Sequence, residues 1–129
     1  MALAGVQLTL LVFQKKYPDK IKGIVLASGV YTNFSKKAEF YSMELIIGSK
    51  INVNTLVAHH KKDACKVTKF KQARIFYDEL QAPRKDILVF DEGVPTGRDC
   101  GPLHHHGYEN IEENSARKII EWMVSNAVR

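Results

Sequence analysis

Three short apolar runs set the frame: Ile21-Lys-Gly-Ile-Val-Leu-Ala-Ser28, Val53-Asn-Thr-Leu-Val-Ala-His59 and Asp86-Ile-Leu-Val-Phe90. Each has the length of a strand, and between them the apolar residues recur at helical spacing. Alternation of this kind argues for parallel strands joined by right-handed helical crossovers. The first run is nearly continuous in apolar residues rather than alternating, which predicts a strand covered on both faces. The expected fold is therefore α/β: a three-layer arrangement with a parallel sheet of about three strands, 21–28, 53–59 and 86–90 in that sequential order, flanked by helices. No repeat, low-complexity segment or linker divides the chain, so residues 1–129 read as one domain.

Four helices are expected. Residues 2–16 are apolar nearly all round and end in Lys15 and Lys16, cations suited to the negative end of a helix dipole, before Pro18 stops the ladder. Residues 36–47 place Phe40, Met43, Ile46 and Ile47 on one side, with Gly48 as the closing residue. Thr68 can cap a helix to about Leu80, in which Phe70, Ala73, Phe76, Tyr77 and Leu80 keep a 3.6-residue period. The last helix runs from about Asn110 to Asn126, with Ile111, Ala116, Ile119, Ile120 and Met123 expected to face inward.

Composition excludes several function classes. No apolar run approaches the roughly 20 residues of a membrane span. The stretch from Met1 to Phe13 lacks preceding basic residues and a following small-x-small site, so it reads as a buried helix rather than a signal peptide. The net charge is +5, but the lysines are scattered near the ends of apolar segments and are not interleaved with aromatics, which argues against a nucleic-acid partner. Two cysteines, Cys65 and Cys100, are too few to build a disulfide scaffold, so the fold must rest on its core.

Open parallel sheets place ligands beyond the carboxyl ends of their strands. Two loops there are rich in reactive side chains: His59-His-Lys-Lys-Asp-Ala-Cys-Lys-Val-Thr68 after the second strand, and the segment from Asp91 to Gly107 after the third. An aspartate just past one strand and a histidine just past the next is the acid–base half of a catalytic triad: the histidine takes the nucleophile's proton, and the carboxylate fixes its tautomer.

Tyr17-Pro-Asp-Lys-Ile-Lys-Gly-Ile-Val-Leu-Ala-Ser28 resembles the helix-to-strand passage after the nucleophile elbow of α/β-hydrolases. Leu56-Val-Ala-His-His-Lys-Lys-Asp-Ala-Cys-Lys-Val-Thr68 resembles their acid loop, and Asp99-Cys-Gly-Pro-Leu-His-His-His-Gly-Tyr-Glu-Asn-Ile-Glu112 the histidine loop of a bacterial subgroup. The resemblance covers nearly the whole chain and is weakest over residues 30–52. It implies that Asp63 is the acid, that His106 is the base, and that the substrate of a full-length relative is a small ester or amide, with no cofactor or metal. It also brings the loops carrying Cys65 and Cys100 together, so these are expected to form a disulfide. A bridge would point to a periplasmic or secreted location, and its absence to the cytoplasm.

The family's G-x-S-x-G motif does not occur among the 129 residues. The resemblance puts the elbow at residues 1–5, Met1-Ala-Leu-Ala-Gly5, which hold no Ser, Cys or Asp, and it puts Ser28 one strand past the nucleophile. The chain thus reads as the C-terminal part of such a hydrolase, inactive alone. The alternative is a non-catalytic remnant of the fold that self-associates or binds a partner. A homodimer is expected in either case, because the strand at 21–28 would lack its outer neighbour and leave an unguarded edge. Blander roles compete at each position. Asp63 suits a turn, His106 suits a surface loop, and His104-His105-His106 with Asp99, Cys100, His59 or His60 would be a zinc site only if their side chains converged.

Overall fold

The computed structural model describes residues 16, 17, 19–32 and 42–126. The helix expected at 2–16 lies outside the described residues apart from Lys16, and so do residues 36–41 of the second expected helix. Three strands, β1 (Gly23–Ala27), β2 (Asn54–His60) and β3 (Lys85–Phe90), form a parallel sheet in the order β1-β2-β3. Leu26 is in register with Val57, and Val57 with Ile87. Among the described residues three α-helices accompany them: α1 (Met43–Ile47), α2 (Phe70–Glu79) and α3 (Glu112–Asn126). A 3₁₀ turn spans His105–Gly107.

Residues one apart on a strand face opposite sides of the sheet, so the register builds two cores. On one side Ile24, Leu26 and Val57 pack with Met43 of α1 and with Ala73, Phe76 and Leu80 along and just beyond α2. On the other, Ala58 and Phe90 pack with Ile111, and Ala27, Leu88 and Ile119 of α3 join them. Helices therefore cover both faces. Burying a Leu, Val or Phe side chain contributes about 1.5–3 kcal/mol, which explains why the larger core fixes the register.

Every residue of β2 from Thr55 to His60 is buried. β1 does not have the cover on both faces expected of it. Ile24 and Leu26 are buried while Gly23, Val25 and Ala27 are half-buried, an alternation rather than burial on both faces. Among the described strands β1 lies at the sheet's edge and has only β2 as a neighbour.

Helix ends carry the other corrections. Ser42 caps α1, accepting from the Leu45 N–H at 3.4 Å, and Gly48 closes it at φ 67° with its own N–H on the Glu44 carbonyl. α2 begins one residue later than expected. Its N-cap is Lys69 without a side-chain bond, and Thr68, the expected cap, points its hydroxyl elsewhere. α3 is rotated from the expected face. Ile111, just ahead of it, is buried and Ile119 is half-buried, as expected, but Ala116, Ile120 and Met123 are exposed; the buried positions are Ser115 and Trp122. The Trp122 indole N–H reaches Asp86 Oδ2 on β3 at 2.7 Å, and this polar anchor selects the face. No helix among the described residues is long and apolar enough to cross a membrane.

Candidate active site at the carboxyl end of the sheet

All five histidines of the chain lie past the carboxyl ends of β2 and β3 or close the last turn of β2. The chain leaves β2 at His60 and turns at once: the Lys61 N–H binds the Phe90 carbonyl at 2.7 Å, and the Asp63 N–H binds the His60 carbonyl at 3.1 Å. The Asp63 side chain folds back so that Oδ1 accepts the Cys65 N–H at 2.9 Å. An aspartate bonding the backbone two residues on is favoured locally. It leaves Oδ2 aimed across the sheet's end.

The loop after β3 is shaped by its own contacts. Glu109, 8% exposed, accepts from the Thr96 N–H at 2.7 Å and from the Thr96 hydroxyl at 2.6 Å, clamping the loop's outgoing arm to its return. The Gly107 N–H closes on the His104 carbonyl at 2.9 Å. A side chain at 107 would collide with the Pro102 backbone, so only glycine allows this tight turn. Tyr108 follows in the left-handed region at φ 62°, and its hydroxyl donates to the Ala58 carbonyl at 2.9 Å. Burial, with help from the Asp63 charge and against a hydrogen bond from Ser28, pushes the Tyr108 phenol up to about 12.

These two turns bring the expected pair together. His106 Nδ1 lies 3.0 Å from Asp63 Oδ2; the carboxylate side chain has no exposure and the imidazole 14%. Burial opposes ionisation of Asp63. Hydrogen bonds from His106 and His59, the neighbouring His106 charge and the Cys65 N–H outweigh it and hold the carboxyl well below the usual carboxylate range. A carboxylate facing Nδ1 keeps a neutral imidazole protonated there, so Nε2 is the nitrogen left bare to accept a proton.

Three neighbours that the sequence reading named only in other roles also lie here. The Thr68 hydroxyl lies 2.9 Å from Asp63 Oδ2 and 3.0 Å from His106 Nδ1. His59, wholly buried, donates from Nε2 to the Thr68 carbonyl at 2.6 Å and sits 3.3 Å from the same Asp63 oxygen. Ser28, at the end of β1 with φ 47°, donates from Oγ to the His106 carbonyl at 2.8 Å. His59 and Thr68 had a sequence signal, since both lie within the segment that carries Asp63; Ser28 had none beyond its place at a strand's end.

Cys65 and Cys100 form a disulfide with Cα atoms 4.6 Å apart. It links the loop after β2 to the loop after β3, two residues past Asp63 and six before His106. The other histidines diverge. His60 is held by the Glu92 carbonyl at 2.7 Å and the Lys62 N–H at 3.0 Å, and stacks on His105 at 4.1 Å. His104 turns toward Asp99 at 3.5 Å. Burial and the adjacent His60, His104 and Lys62 charges depress the His105 imidazole. Among the described residues no three His, Cys, Asp or Glu side chains converge as a metal-ligand set. Comparison with known proteins found no family model that matches the chain and no similar curated protein or solved structure, so the chemistry of this end of the sheet is read from its own geometry.

Proposed function

We propose that the chain supplies the acid and base of a Ser-His-Asp hydrolase of the α/β-hydrolase type, acting on ester or amide bonds through an acyl-enzyme, with the nucleophile carried outside these 129 residues. The observation that supports this reading is the buried Asp63 carboxylate on His106 Nδ1 at 3.0 Å, past the ends of adjacent parallel strands. The pair orients an imidazole whose Nε2 takes a nucleophile's proton and then returns it to the leaving group. No Ser, Cys or Thr donates to that Nε2 among the described residues, and the one nearby serine, Ser28, is engaged with a carbonyl. The Cys65–Cys100 bridge fits an oxidising compartment such as a periplasm.

The test is the DNA upstream of the Met1 codon. A G-x-S-x-G reading frame there, joined to this chain, is expected to give an esterase abolished by His106→Ala and strongly reduced by Asp63→Asn. Upstream sequence without that motif, or a joined product whose ester turnover ignores His106, rejects the reading.

A second reading, a self-associating remnant of the fold, draws on a different observation. Ile120, Met123 and Val124 of α3 are 57%, 40% and 55% exposed, a run of apolar side chains on one helix that a second copy of the chain would cover.

A further inference from the structure

Oxygen Oδ2 of Asp63 lies between two hydrogen-bonding partners, His106 Nδ1 at 3.0 Å and Thr68 Oγ1 at 2.9 Å, with His59 Nε2 close by at 3.3 Å. An ionised carboxylate can only accept, and a threonine hydroxyl has one proton to give. That proton therefore goes to Asp63. The lone pairs left on Thr68 Oγ1 face His106 Nδ1 at 3.0 Å. A neutral His106 ring then meets two acceptors on its Nδ1 side, the carboxylate and the hydroxyl, and no donor. The backbone carrying the hydroxyl is itself pinned: His59 Nε2 donates to the Thr68 carbonyl at 2.6 Å, and the Thr68 N–H donates to the Cys65 carbonyl at 3.2 Å. His59 has no exposure and Thr68 3%. Neither residue caps α2, which starts at Phe70 behind a Lys69 cap without a side-chain bond. His59 even leaves its buried Nδ1 without a hydrogen-bond partner, an unfavourable arrangement that helix formation does not require.

We propose that Thr68 and His59 are positioning residues for the acid–base pair: Thr68 bridges Asp63 and His106 so that the ring is held with Nδ1 protonated and Nε2 outward, and His59 fixes the Thr68 backbone beneath it. This rests on the reading of Asp63 and His106 as acid and base, but its readout is the state of the ring and not turnover. The effect of Thr68 and His59 is transmitted through Asp63 and His106, in a setting where the hydrogen bonds polarise one another.

Nitrogen-15 and proton NMR of the oxidised chain tests it. In the wild-type protein the Thr68 hydroxyl proton should exchange slowly with water and show a through-space contact to the His106 Nδ1 proton. Thr68→Val, which keeps the shape and removes the hydroxyl, should raise the Nε2–H tautomer of neutral His106 several-fold and speed exchange of the Nδ1 proton roughly tenfold, the loss of one buried hydrogen bond. Thr68→Ser should restore both. His59→Phe should have the same effect as Thr68→Val in weaker form, since the hydroxyl stays but its backbone is loosened. A purely structural Thr68 would lower the melting temperature and leave the tautomer alone, which overturns the proposal. A wild-type chain without a protected Thr68 hydroxyl proton overturns it as well, even if no variant folds. If the ring behaves as stated but the joined product never hydrolyses an ester, the hydrolase reading fails and the positioning stands.

Discussion

Ser28 and His106, 78 residues apart in sequence, are joined by a 2.8 Å hydrogen bond from the serine hydroxyl to the histidine carbonyl. The end of β1 is thereby tied to the loop after β3, although β1 and β3 do not touch as strands. Ser28 holds a left-handed φ of 47°, while its N–H reaches the Ala58 carbonyl at 3.0 Å. The residue carries a backbone penalty and a stabilising bond at once.

Two substitutions separate those terms. Ser28→Ala removes the bond and keeps the strain, and should lower stability by about 1–2 kcal/mol. Ser28→Gly removes both, and should be about 1 kcal/mol more stable than Ser28→Ala because glycine accepts positive φ freely. Urea unfolding midpoints check the ordering, and an alanine variant as stable as the glycine variant contradicts it.

Acid should lower the protein's stability in two pH windows. The folded His105 imidazole is depressed, so its contribution is fully present above the ordinary histidine value near 6.5 and declines as pH falls through that value toward the folded one. The folded Asp63 carboxyl is depressed too, so its contribution is fully present above the ordinary aspartate value near 3.9 and is lost as pH drops below it toward the folded value. Stability measured against pH should flatten in the upper window for His105→Phe, which keeps a ring against His60, and in the lower window for Asp63→Asn. A His105→Phe curve parallel to wild type below pH 7 rejects the first assignment.

The disulfide should matter to stability more than any single core contact. Its cysteines are 35 residues apart, and closing a loop of that size in the unfolded chain corresponds to about 3–4 kcal/mol. Thiol titration in denaturant should find no free thiol before reduction and two after it. The reduced protein should melt at a clearly lower temperature, and equal melting temperatures in both states would remove the bridge from the stability account.

The 129-residue chain on its own should hydrolyse p-nitrophenyl acetate no faster than its His106→Ala variant. An activated ester probes the acyl-transfer machinery with the least demand on substrate binding, so a rate that depends on His106 would mean that these residues hold a nucleophile after all.

Light scattering should report about twice the 14.6 kDa chain mass, if two copies cover the exposed side of α3 or pair along β1. Ile120→Lys should return the monomer mass without lowering the unfolding midpoint. Lysine at Ile24 or Leu26 would not test this, because both side chains are in the core at 4% and 0% exposure. A wild-type chain already at 14.6 kDa rejects the dimer.

Much of this architecture was written in local pattern. The stretch from β2 through α2 to β3 was legible because Phe70, Ala73, Phe76, Tyr77 and Leu80 form one helical face and the flanking strands are dense in apolar residues. The Cys65–Cys100 pairing and the approach of Asp63 to His106 were implied by the resemblance of the two loops and not by spacing or periodicity, and both contacts are present. α3 was misread because its apolar residues spread over more than one side. Ile119 and Ile120 are adjacent, and periodicity alone cannot choose between them. The choice is made by Trp122 and its bond to Asp86, a tertiary polar contact with no trace in spacing. Thr68 was misread for a similar reason: a threonine before an apolar periodic run looks like a cap, and only the folded acid turn offers its hydroxyl a better acceptor.

The bridge has one more effect. With the backbone between Cys65 and Cys100 it makes a closed covalent ring that contains α2 and β3, and Asp63 and His106 hang from the two sides of its clasp. A protease cutting at the exposed Arg84, between α2 and β3, would nick that ring without dividing the molecule. Asp63 and His106 would remain on one covalent species whose mass differs from the intact chain only by a water. The same holds for a break at any peptide bond within the ring, so the two groups part company only when the sulfurs do.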